Sequence, residues 1–160
     1  MQNEGQDLRE QWQHIHGLKI KVVDPDEDYL GIDIQAANPR YAGSARTFAG
    51  LHELTQFANY IRGSPASVQD ERVYEFGSRD RSIAGGYCKL WLRCVDHSGH
   101  PVIEVMIEDD EQRCPSGHTE LSIKVEAAGI DRFVERLFEI EREKSGQAVL
   151  PATGENWSIA

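Results

Sequence analysis

The sequence predicts an α+β domain, with a largely antiparallel sheet of about six strands and two helices. Three patterns carry that expectation. From Tyr87 to Glu108, Cys88, Leu90, Leu92 and Cys94 share one parity against Lys89, Trp91 and Arg93. After the turn Asp96-His97-Ser98-Gly99-His100, Ile103, Val105 and Ile107 alternate with Val102, Glu104, Met106 and Glu108. Strand side chains project to opposite faces with period two, so each arm of this hairpin has a core face and a wetter face. Elsewhere two stretches change to three- and four-residue steps, the repeat of an amphipathic helix. Short links between the strands favour antiparallel neighbours.

Taken in order, residues 1–16 are polar apart from Leu8, Trp12 and Ile15, and are expected to form a flexible arm before a single domain over 17–145. Leu18, Ile20 and Val22 alternate with Lys19 and Lys21 as a first strand. Asp24-Pro25-Asp26-Glu27-Asp28 supplies a turn, and Leu30, Ile32, Ile34 and Ala36 alternate with Gly31, Asp33 and Gln35 as the second strand. Asn38-Pro39 breaks it, and a further extended piece runs through Arg46 to Phe48. Leu51, Leu54, Phe57, Ala58 and Ile61 mark the first helix, ended by Gly63-Ser64-Pro65. Val73 to Phe76 is a short strand, and a Gly- and Arg-rich loop, Gly77 to Gly86, leads into the hairpin.

After a polar connector, Thr119, Leu121, Ile123 and Val125 alternate with Glu120, Ser122, Lys124 and Glu126 as a last strand. Ile130, Phe133, Val134, Leu137 and Phe138 form the apolar face of a second helix, with Asp131 early and Arg142 and Lys144 late, as the helix dipole favours. Residues 146–160 turn to Gly, Pro, Ala and Ser and are expected to be a mobile tail. No internal repeat is visible. The buried sheet face is expected to consist of Leu90, Leu92, Ile103, Val105, Leu121 and Ile123.

At 160 residues, 39% hydrophobic and 28% charged, the chain suits a globular protein with one substantial core. No apolar run approaches the ~20 residues of a membrane span. Met1 to Glu10 is polar and lacks the apolar core of a signal peptide, so a cytoplasmic protein that engages no membrane is expected. The net charge is -10, from 27 acidic and 17 basic side chains. That field repels phosphate backbones, so no nucleic-acid partner is expected, whereas a basic protein would be steered towards it.

The three cysteines, Cys88, Cys94 and Cys114, cannot all pair internally. Cys88 and Cys94 lie six residues apart on one strand, about 20 Å and far beyond disulfide reach, and read as small buried hydrophobes. Cys94, His97, His100, Cys114 and His118 spell C-x2-H-x2-H followed by C-x3-H, ligand types that zinc prefers. Neither half has a standard zinc spacing and Cys94 is on the core parity, so no metal or other cofactor is expected. His14 and His16 would share a strand face, which a polar arm explains as well.

No G-x-S-x-G elbow is present, and Ala84-Gly85-Gly86 lacks the lysine of a phosphate-binding loop. The only thiol and imidazole pair placed on a loop is Cys114 with His118. A small metal-dependent or cysteine-based enzyme using that pair and the His97/His100 turn is the alternative to a binding protein. A homo-oligomeric domain is a third reading. The leading expectation is a non-enzymatic protein-binding domain whose partner-binding residues are Asp26, Asp28, Asp109 and Asp110, drawn from two acidic runs that would grip a basic surface if they shared a rim.

From Leu51 to Ile140 the layout resembles a family of small bacterial α+β domains of unassigned activity. Gly50-Leu51-His52-Glu53-Leu54-Thr55-Gln56-Phe57 opens its helix, the D-x-x-G-H hairpin follows at Asp96-His97-Ser98-Gly99-His100, and Leu121-Ser122-Ile123-Lys124-Val125 runs into the terminal helix. The resemblance implies an α+β fold without catalytic activity and, in some members, an immunity protein encoded beside a toxin.

Overall fold

The computed structural model describes residues 16–80, 82, 85–109 and 116–153. Among the described residues ten elements follow one another: β1 (Gly17–Pro25), β2 (Tyr29–Ala37), β3 (Ala42–Gly50), α1 (Glu53–Ile61), β4 (Arg72–Gly77), β5 (Tyr87–Cys94), β6 (Pro101–Glu108), β7 (His118–Lys124), α2 (Ala127–Glu143) and β8 (Gln147–Pro151). The class is α+β and every strand pairing is antiparallel, as the alternating patterns require. The strand count and the single sheet need correcting. Eight strands form two four-stranded sheets, sheet A in the order β3-β2-β1-β8 and sheet B in the order β4-β5-β6-β7.

Two elements account for the difference. The extended piece around Arg46 is a full nine-residue strand, with Ala45, Thr47 and Ala49 buried. The segment expected to be a mobile tail contributes β8, whose Ala148 and Leu150 are fully buried opposite Ile20 and Leu18 of β1. Residues 154–160 of that tail lie outside the described residues, as do 1–15 of the expected arm.

The topology contains a repeat that the sequence conceals. Each half runs β-β-β-α-β: β1, β2, β3, α1, β4, then β5, β6, β7, α2, β8. Each half also sends its last strand away. β4 pairs with β5 and β8 pairs with β1, so the two halves are interlocked by exchanged edge strands. The correspondence holds residue by residue. Leu54, Phe57, Ala58 and Ile61 of α1 match Ile130, Phe133, Val134 and Leu137 of α2 at one constant offset, and all are buried. The same offset carries Ala45, Thr47 and Ala49 onto Leu121, Ile123 and Val125.

Both sheets and both helices share one hydrophobic cluster. The six side chains expected on the buried sheet face are all there, none more than 7% exposed. Phe57 lies at the centre, with ring centroids 4.9 Å from Tyr74, 5.0 Å from Phe76 and 6.4 Å from Phe133. Cys88 is buried in this cluster, and burial pushes its thiol pKa up. Cys94 is only partly buried, its Sγ 3.7 Å from the Ser67 carbonyl oxygen.

β3 crosses the strand ends of sheet B, which demands small residues. The Gly86 N–H donates to the Arg46 carbonyl at 2.7 Å. Gly77 has φ 75°, and a Cβ there would lie 2.1 Å from the Gly86 oxygen. No helix among the described residues is long and apolar enough to cross a membrane.

One helix end is built against its backbone preference. α2 closes on Lys144 at φ 53°, a left-handed conformation that disfavours side chains with a Cβ. Lys144→Gly is therefore expected to raise stability by about 0.5–1 kcal/mol, read as a higher urea midpoint with an unchanged slope.

Candidate functional site

The core takes one face of sheet B and leaves the other open. On that outer face the register sets two rows across the strands: Glu75, Lys89, Met106 and Glu120, then Val73, Trp91, Glu104 and Ser122. Lys89, Trp91, Glu104, Met106, Glu120 and Ser122 line a concavity of about 420 Å³. A tryptophan and a methionine give it apolar surface between the Lys89 ammonium and the Glu104 and Glu120 carboxylates.

The Trp91 ring is held in place from within the sheet. The Arg93 guanidinium lies 5.1 Å from its centroid and donates to Glu104 Oε1 at 2.5 Å. Stacking and a charge-assisted hydrogen bond thus fix three side chains that would otherwise be free in solvent. The satisfaction is incomplete. The Trp91 Nε1–H and the Arg93 Nε–H are shielded from solvent and have no acceptor among the described residues.

Acidic groups continue towards the far end of the strands. Glu108 lies 3.4 Å from His118 Nδ1 and 3.7 Å from Arg79, and Arg79 stacks 4.9 Å over the Tyr87 ring. Burial, followed by the charge of Glu75, holds the Tyr87 hydroxyl pKa above its usual value. Asp109 follows directly, its N–H donating to the Gly117 carbonyl.

The residues singled out in the sequence do not converge. Asp26 and Asp28 sit in the β1–β2 turn, where Asp26 Oδ1 accepts the N–H groups of Glu27 and Asp28. That turn joins Tyr29, which pairs with Gly50 at the end of β3, whereas Glu108 meets Ala45 across Gly86. Ala45 and Gly50 are about 16 Å apart along a strand, so the two acidic runs occupy different rims rather than one. Asp110 lies outside the described residues.

The histidines are separated in the same way. His97 and His100 belong to the β5–β6 turn, while His118 pairs with Glu108 at the other end of β6, roughly 24 Å away. His100 Nδ1 is 2.7 Å from Asp96 Oδ2, and this hydrogen bond holds the Asp96 carboxyl below the usual carboxylate range. Cys114 and His14 lie outside the described residues. Among the described residues, no three His, Cys, Asp or Glu side chains gather as a metal would need.

The concavity was not anticipated as a site, although its signal was present. Trp91 shares the wet parity of Lys89 and Arg93, an unusual place for the largest apolar side chain. No protein-family model, curated protein or solved structure matches the chain.

Proposed function

We propose that this is a non-enzymatic protein-binding domain that docks a basic partner on the outer face of sheet B, as an immunity protein occludes a toxin. The observation that carries the reading comes from the repeat. Lys21 opposes Asp33, which opposes Arg46, on the outer face of sheet A. The matching row of sheet B is Trp91, Glu104 and Ser122. In the adjoining row, Lys19, Gln35 and Ser44 match Lys89, Met106 and Glu120. Two scaffold positions are thus polar in one half, Lys21 and Gln35, and carry Trp91 and Met106 in the other. Folding asks the same of both, so the apolar pair on sheet B supports a second demand, that of a partner.

Buried aromatic anchors with flanking charge dominate most protein interfaces, and acidic rims favour basic partners kinetically. The test is association kinetics with the product of the gene next to this one, over a salt series. Trp91→Ala is expected to weaken binding by about 2 kcal/mol or more, mainly through faster dissociation. Glu120→Lys is expected to slow association at low salt, with the difference shrinking above ~0.1 M as charges are screened. Binding that ignores both changes would remove this face from the function. Turnover of a small substrate that depends on His118 or Cys114 would make the protein an enzyme instead.

A further inference from the structure

We propose that two copies of this chain associate through the outer face of sheet A as a closed, two-fold dimer. That face is separate from the concavity on sheet B and independent of it. Lys19, Lys21, Asp33, Arg46 and Phe48 point outward there, as their parity against the buried Leu18, Ile20, Ile32, Ala45 and Thr47 requires. In a chain of net charge -10, three cations (Lys19, Lys21 and Arg46) against two carboxylates (Asp24 and Asp33) is a local reversal of sign. Among the described residues, none of the three cations is in an ion pair.

The order of chemistry along the face is what selects a second copy. The Lys21, Asp33 and Arg46 row comes first, then Asp24, Gly31 and Phe48, then Tyr29 and the acidic turn. Base, aromatic and acid therefore follow one another along a single hairpin. A two-fold axis through the Gly31 and Phe48 row reverses that order in the partner. Lys21 and Arg46 of each copy would then face Glu27 and Asp28 of the other, twice over. Such self-complementarity is the condition for an isologous interface that closes at two subunits.

Apolar anchors lie where that axis would pass. Tyr29 and Phe48 are 40% and 42% exposed and stack edge-to-face at 5.1 Å. Phe48 is the one exposed phenylalanine among the described residues. Between it and Asp24, Gly31 is buried and covered by the Asp24 side chain, since a Cβ there would lie 2.8 Å from the Asp24 Cβ. Four strands of this width and length present about 500 Å² per copy. The resulting total of ~1,000 Å² is at the lower end of specific interfaces, so the dimer is a weak one.

Sedimentation velocity of the full chain at low salt, over a concentration series, tests this directly. The expected result is a monomer–dimer equilibrium that shifts to monomer in high salt. Lys21→Glu with Arg46→Glu is expected to weaken self-association at least tenfold, and Glu27→Lys with Asp28→Lys to do the same; the second pair spares Asp26, which holds the turn. Mixed in equal amounts, these two variants are expected to form a heterodimer that neither forms alone. A chain that stays monomeric at every concentration, a dimer indifferent to both reversals, or a mixture that stays monomeric would each overturn the proposal. None of the four positions borders the Trp91 concavity, so partner binding there stands or falls separately.

Discussion

Leu150→Asp is expected to unfold the protein or to cost at least about 5 kcal/mol, comparable with the whole stability of a marginal domain. Leu150 is fully buried, pairs with Leu18 in the register of β1, and lies 3.3 Å from where a Cβ on Gly129 of α2 would sit. Removing its side chain alone would lose about 2–5 kcal/mol, and a carboxylate put in its place would also lose its hydration at a fully buried position. β8 is also the strand by which the second half is locked into the sheet of the first. Had the chain been mobile from residue 146 onward, the same change would move stability by no more than about 0.5 kcal/mol. Urea denaturation followed by circular dichroism separates the two outcomes.

Phe57→Ala is expected to cost about 3–5 kcal/mol. The ring joins α1 to β4 through Tyr74 and Phe76, and to α2 through Phe133, so three elements from both halves lose contact at once. Each of these aromatic pairs adds roughly 0.5–1.5 kcal/mol beyond the area it buries. Phe133 is the counterpart of Phe57 in the other half and shares its cavity. The double change Phe57→Ala with Phe133→Ala is therefore expected to cost less than the two single costs added together. Additive costs, measured by equilibrium denaturation, would mean that the two helices meet the core independently.

Much of the fold is readable from side-chain period alone. Leu18, Ile20 and Val22, or Leu90 and Leu92, alternate with charged neighbours, and the helices repeat at three and four residues. Burial on one face leaves no other solution for such patterns. What the period does not report is which strands are neighbours. β3 and β4 are consecutive strands, yet α1 between them carries the chain from one sheet to the other, and nothing local to Arg46 or Val73 records that crossing. β8 is only five residues long, and its two inward side chains sit among Gly, Pro and Ser, a composition that reads as loop. The repeat is hidden for a related reason. Matching positions keep burial but not identity: Ala45 and Leu121, or Ala58 and Val134, fill different volumes at the same place.

The site was less readable than the fold. Acidic runs and histidine-rich turns are conspicuous in a sequence because they break apolar patterns, but solvent tolerates them at any strand end. Asp26 and Asp109, or His97 and His118, are accordingly far apart. The residues that do share a surface, Trp91, Met106, Glu104 and Glu120, come from three strands and are joined only by register. Trp91 carried the one local sign, a large aromatic ring on the wet side of an amphipathic strand.

The indole N–H of Trp91 reports on that surface without requiring a known partner. Its proton resonance, in a Trp12→Phe, Trp157→Phe background, would be followed while extended peptides of matched length and opposite charge are titrated in. Lysine- and arginine-rich peptides with one apolar residue are expected to shift the indole signal saturably, together with the amides of Lys89, Met106 and Glu120, and acidic peptides are expected to leave it unmoved. An indole signal unchanged by every cationic peptide, with shifts confined to the Asp26 and Asp28 turn, would contradict a docking face on sheet B.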